Sequence, residues 1–167
     1  MTAHFRAIAN TSNMLIITKI VTISSMGIFV GSAVNYNVII MPSLRQFAST
    51  SSLAVWSAMY MHAKPFQMLN ILVGTIGASI LYFKTKDPYY LTGALLMASI
   101  VPYNKATVYP INKKLLDIRK HGKEDPKVEE MMARWDALHF GRTLISYAAM
   151  AVTLYAELRG HQLRVLV

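Results

Sequence analysis

The sequence predicts an all-α protein, an integral membrane four-helix bundle. Three observations carry that reading. Hydrophobic residues make up 54% of the 167 positions and charged residues only 15%, with a mean hydropathy of +0.36, which is too oily for an ordinary soluble domain. Charges vanish from four runs and gather between them. The polar residues within Val21 to Val34 and Leu69 to Tyr82 are Ser, Thr, Gly and Asn, which suit helix against helix in lipid and leave no charged stripe for water.

The first run, Ile20 to Leu44, is uncharged over 25 positions; about 20 residues at roughly 1.5 Å each already cross a hydrocarbon core. Its span is placed at 17–41. Gly27 and Gly31 form a GxxxG there, a spacing that permits close backbone approach. Before it, Met1 to Asn13 carries one Arg6. A signal peptide is the alternative, but the apolar stretch is far longer than a signal-peptide core and no small-x-small site ends it. Pro65 to Phe83 gives 19 uncharged positions and a second span at 65–83. The Lys84-Thr85-Lys86-Asp87-Pro88 turn then makes spans two and three antiparallel neighbours, with Pro88 at a helix start.

Pro88 to Asn104 contributes 17 uncharged positions, extended to a span of 88–109 if Lys105 snorkels. Thr143 to Ala156 gives 14, extended to 137–157 if Arg142 faces protein. Between them the polar loop 110–136 holds most of the charge, and Asp125-Pro126 followed by Glu129-Glu130 reads as a capped helix running into the fourth span. Summing Lys and Arg gives six on the side of the termini and ten on the other, so the positive-inside rule puts both termini outside the cytosol.

Several function classes drop out. With no cysteine there is no disulfide scaffold, thiolate metal site or cysteine nucleophile. The net charge of +9 is spread between apolar runs, so the expected partner is a lipid bilayer and no nucleic acid. No P-loop, GxGxxG, His-x-x-x-His or di-iron carboxylate set occurs, so no metal and no cofactor is expected. A haem between His62 and His139 is the nearest exception, although membrane cytochromes set such histidines deeper.

The residues with most chemistry lie in Trp135-Asp136-Ala137-Leu138-His139-Phe140-Gly141-Arg142. Trp135, His139 and Arg142 fall at i, i+4 and i+7, on one helical face. Asp136 is close enough in sequence to fix the His139 tautomer, and Arg142 can stabilise an oxyanion or phenolate. The plainer reading is an interfacial belt of anchoring Trp and snorkelling Arg. In the stretch from Pro102 to Leu115, Pro102 is expected to kink the third span, and Asn104, Thr107 and Asn112 either repair the freed backbone or face a ligand. Asn35, Tyr36 and Asn37 sit too deep in the first span for bulk water, so at least one amide should bond another helix or line a cavity. His62, beside Tyr60 and Lys64, is a lesser candidate for base or ligand.

Gly27-Ile28-Phe29-Val30-Gly31, Pro42, Trp56 and Tyr60, then Val101-Pro102-Tyr103, Pro110-Ile111-Asn112-Lys113-Lys114-Leu115, and finally Trp135, Leu138-His139 and Arg142 together resemble the anthrone oxygenase-like superfamily of small four-helix membrane proteins. Asn104 and Ile111 stand where that family often has threonine. The resemblance implies oxidation of an anthrone-type aromatic polyketide to its quinone by molecular oxygen, without flavin, haem or metal. It makes His139 the base and Arg142 the anion stabiliser, with Trp135, Phe140 or Tyr109 as walls for a planar hydrophobic aromatic small molecule. The alternative is a non-enzymatic subunit or assembly factor of a larger membrane complex, or an oligomer, in which Trp135, His139, Arg142 and Asn112 only seal helix ends.

Overall fold

The computed structural model describes residues 3–122 and 125–165, and the side chains of 13–122 and 125–160. Lys123 and the Arg6 and Arg164 side chains, which entered the charge sum, lie outside the described residues. The fold is an all-α bundle of four long helices. Helix α1 covers 3–44 as Ala3–Asn35, a π turn Tyr36–Ile40 and Met41–Leu44; α2 is Ser49–Thr85. Helix α3 covers 88–121 as Pro88–Tyr103, a second π turn Asn104–Val108 and Tyr109–His121; α4 is Val128–Val165. Each helix packs on the next, and α4 packs back on α1.

The expected first loop is helix. Helix α2 starts 16 residues before Pro65 and runs through it. The sequence pattern shows why: Leu53, Trp56 and Tyr60 continue at helical spacing into Ala63 and Gln67, and this apolar stripe, packed on α1 and α4, outweighs one lost backbone hydrogen bond at the proline. Ser52 Oγ closes the preceding turn by donating to the Leu44 carbonyl (2.6 Å). The polar loop is likewise shorter than 110–136, because α3 continues to His121 and ends at Gly122, whose φ of +62° suits glycine alone without strain. Asp125 starts α4 by accepting from the Lys127 N–H (2.9 Å), and Glu129 and Glu130 lie in its first turn, where the helix dipole favours negative charge.

Both π turns sit just ahead of a proline. A proline ring collides with the carbonyl four residues back, which is Val38 for Pro42 and Ala106 for Pro110, each inside its π turn. The wider turn relieves that collision, and the bonds skip five residues: Met41 N–H to Tyr36 O and Tyr109 N–H to Asn104 O. Pro102, by contrast, lies in ordinary α-helix, and the irregular turn begins two residues after it.

Close helix contact is made by other glycines than the GxxxG pair. A Cβ on Gly31 would meet nothing and one on Gly27 only the Met150 sulfur at 3.8 Å, whereas at Gly77 it would overlap the Thr22 hydroxyl and at Gly93 the Thr153 hydroxyl. These contacts pull α2 onto α1 and α3 onto α4 at the end of the bundle away from the 122–128 turn. That end is also tied by charge: Lys19 pairs with Glu157 (2.8 Å), the Tyr90 hydroxyl bonds Glu157, and Arg159 pairs with Asp87 (3.3 Å). Ile16, Ile20, Leu69, Ile76, Phe83, Leu95 and Leu144 point outward, more exposed apolar surface than water tolerates on a monomer. Two helices, Asn13–Leu44 and Ser49–Thr85, are long and apolar enough to cross a membrane by length and composition, which points to membrane association.

Candidate active site

Toward the end of the bundle that carries the π turns lies a cavity of about 370 Å³, within the range of small-molecule sites. Its wall on α2 is a helical stripe, Tyr60, Lys64, Gln67 and Ile71; on α3 it is Val101, Asn104, Lys105, Val108, Tyr109 and Asn112. Helix α1 contributes Tyr36 from its π turn, and α4 contributes Trp135, His139 and Arg142 from the face that the i, i+4, i+7 spacing defines. The widened turns thus turn Tyr36 and Asn104 toward one space.

His139 is only 1% exposed. Its ring stacks on Trp135 (centroids 4.6 Å apart, 25° between planes) and tilts against Tyr36 at 5.3 Å. Trp135 is itself fixed, its indole N–H donating to Asn112 Oδ1 at 2.6 Å. Asp136 does not touch the imidazole. It pairs with Arg45 (2.5 Å) and accepts from Asn37 Nδ2 at 2.7 Å, and Asn37 Oδ1 lies 3.2 Å from His139 Nδ1. The chain Arg45–Asp136–Asn37–His139 has a definite polarity. A carboxylate only accepts, so the Asn37 NH₂ group must face Asp136; its oxygen, which also accepts from the Thr143 hydroxyl (2.8 Å), must then accept a hydrogen bond from His139 Nδ1–H. The neutral imidazole carries its hydrogen on Nδ1, leaving the Nε2 lone pair free.

Arg142 lies at the cavity floor, 7% exposed. Nη2 donates to Gln67 Oε1 at 2.7 Å, and the guanidinium sits 5.1 Å from the centre of the Phe29 ring. Gln67 is held in that orientation because its Nε2 donates to Ser32 Oγ (3.3 Å). No ion pair among the described residues involves Arg142, and its Nε is buried without a partner. A buried cation with no counter-charge is costly, and an anionic ligand group would repay it. Asn104 Oδ1 is a second buried atom without a partner, an acceptor beside the same cavity.

Of the residues singled out in the sequence, Trp135, Asn112, Asn104, Tyr109, His139 and Arg142 line this one cavity. Asp136 stands behind His139, one residue further out than the sequence suggests, because Asn37 intervenes. Thr107 repairs backbone by donating to Tyr103 O (2.8 Å), whereas Asn104 does not. His62 is exposed beside the cavity and does not line it, which separates it from His139, and Phe140 points outward at 50% exposure. Among the described residues no three His, Asp or Glu side chains gather as metal ligands. Tyr36, one of the three deep residues noted in the first span, also lines the cavity, whereas Gln67 was missed by sequence reasoning. Gln67 had a signal, as the only glutamine in the uncharged run Pro65 to Phe83 and one turn beyond Lys64.

Neither the curated proteins nor the solved structures contain a match to this chain. A family model described as anthrone oxygenase matches residues 46–152. That region carries the cavity walls from Tyr60 to Arg142, while Asn37 and Arg45 precede it. With well over half of its length matched, the chain belongs to the anthrone oxygenase family.

Proposed function

We propose that this protein is a multi-pass membrane enzyme, crossing the bilayer four times, that oxidises an anthrone-type aromatic polyketide to its quinone with molecular oxygen and no cofactor. The observation that carries the reading is the His139 Nε2 lone pair, directed by Asn37 and set beside an apolar cavity whose floor is the uncompensated Arg142. An anthrone has an acidic CH₂ next to its aromatic rings and opposite a ketone. Nε2 takes one of its protons, and Arg142 holds the resulting oxyanion. The anion gives one electron to oxygen, the carbon radical and superoxide join into a peroxide anion that takes the proton back from His139, and loss of water from this hydroperoxide, across the remaining C–H and the O–O bond, leaves the new carbonyl. Anthrone and oxygen are thereby converted to anthraquinone and one water. Trp135 and Tyr109 supply flat apolar walls, and a membrane location suits a substrate that partitions into lipid.

The reading is tested with detergent-purified, chelator-treated protein and emodin anthrone, following oxygen uptake and quinone absorbance against a no-protein control. Turnover well above autoxidation is expected; background rates from a folded helical protein would reject it. Asn37→Leu should keep the substrate affinity and lower kcat by roughly 10- to 100-fold, by analogy with the loss of a partner that orients a metal-bound histidine. An unchanged kcat would remove Asn37 from the mechanism.

A further inference from the structure

Sixteen side chains line the cavity, and their charges are one-sided: Lys64, Lys105 and Arg142, with no Asp or Glu. Arg142 is deep and faces the reacting centre. The two lysines are exposed and sit nearer the opening, Lys64 one helical turn from Gln67 on α2 and Lys105 next to Asn104 on α3. Lysines at a membrane surface often do nothing more than snorkel. These two differ in position, because helical spacing puts each in the stripe that walls the cavity: Tyr60, Lys64, Gln67, Ile71 on one side and Val101, Lys105, Val108, Asn112 on the other. Neither takes part in any ion pair among the described residues. The oxyanion formed at the reacting ring accounts for Arg142 alone, so two positive charges remain without an opposite charge. The Asn104 oxygen, buried and without a partner, lies beside Lys105 and needs a hydrogen-bond donor.

We infer that the substrate is an acidic member of its class, a hydroxylated anthrone bearing a ring carboxylate, with the carboxylate held between Lys64 and Lys105 at the opening and a phenolic hydroxyl donating to Asn104. This rests on the oxygenase reading of the cavity and adds the group by which the substrate is chosen. It also orients the ligand: the charged edge stays at the opening near water, and the apolar rings go inward to Trp135, His139 and Arg142. An opening with two cations raises the local concentration of an anionic ligand and penalises a neutral one little.

The test compares an anthrone carboxylic acid with its methyl ester. Binding is measured without oxygen by quenching of tryptophan fluorescence, in nanodiscs of phosphatidylcholine, and turnover is measured separately with oxygen. The acid should bind about tenfold or more tightly than the ester, the usual size of a charged hydrogen-bonded contact. In Lys64→Gln/Lys105→Gln that ratio should fall toward one, and Lys64→Arg/Lys105→Arg should restore it. Equal binding of acid and ester by the wild-type protein, or a preference that survives the double glutamine variant, would overturn the inference. So would equal binding of both ligands that weakens in parallel when phosphatidylglycerol is added, since the lysines would then hold a lipid phosphate. Tight, lysine-dependent binding of the acid with no oxidation above background would support the acidic-ligand site while rejecting the oxygenase.

Discussion

His139→Ala should lower quinone formation by about 10²- to 10⁴-fold, the range that a positioned general base contributes, with little change in the helical spectrum. The expected loss is this large because no second base stands in: among the cavity-lining residues the other ionisable groups are tyrosines, lysines and Arg142, with no other imidazole and no carboxylate. His139→Gln separates hydrogen bonding from proton removal. Its amide can keep the contact with Asn37 and cannot act as a base, so it should be as inactive as the alanine variant. Near-normal oxygen uptake by either variant would take the base role away from His139.

Arg142→Met should move activity and stability in opposite directions. Turnover should fall by about 10²- to 10³-fold, as when one donor to a developing oxyanion is removed. The folded protein should at the same time gain roughly 1–4 kcal/mol, or at least lose nothing, because an apolar side chain of similar length replaces a desolvated cation whose best partner is the neutral Gln67. Thermal unfolding in detergent and the oxygen assay on the same preparation read both signs. A variant that is both inactive and less stable would mean that Arg142 holds the bundle together, and the anion-stabilising role would have to be abandoned.

The bundle was legible in the sequence because uncharged runs are long-range averages, and no single residue can reverse them. The Pro88 turn and the start of α4 after Asp125-Pro126 were legible for a local reason, since capping chemistry is confined to a few adjacent residues. Helix boundaries misled where a proline had two meanings. Pro65 reads as a helix start and lies inside α2, while Pro42 and Pro110 signal widened turns that depend on what packs around them. The GxxxG pattern misled because close approach belongs to a pair of surfaces, and Gly77 needs Thr22 opposite it while Gly31 has nothing there.

The candidate site divides in the same way. Trp135, His139 and Arg142 share a face by spacing within one helix, so their convergence follows from arithmetic. Asn37 and His139 are 102 positions apart, and only the packing of α1 on α4 makes them partners. Gln67 and Arg142 meet across 75 positions, which is why a glutamine in an uncharged run gave a hint of burial and no hint of its partner.

The two ends of the bundle are unlike in a way that governs traffic. Beyond Arg142 and Ile71 the interior is filled by Met26, Met97 and Leu81, and farther along the Thr22–Gly77 and Thr153–Gly93 contacts and the Lys19–Glu157 pair leave no passage. That packing closes the cavity on the side of Met26 and Met97. A ligand bound against His139 is thus walled off from the Lys19–Glu157 end, so substrate and product of the proposed reaction would share the way out on the side of the π turns.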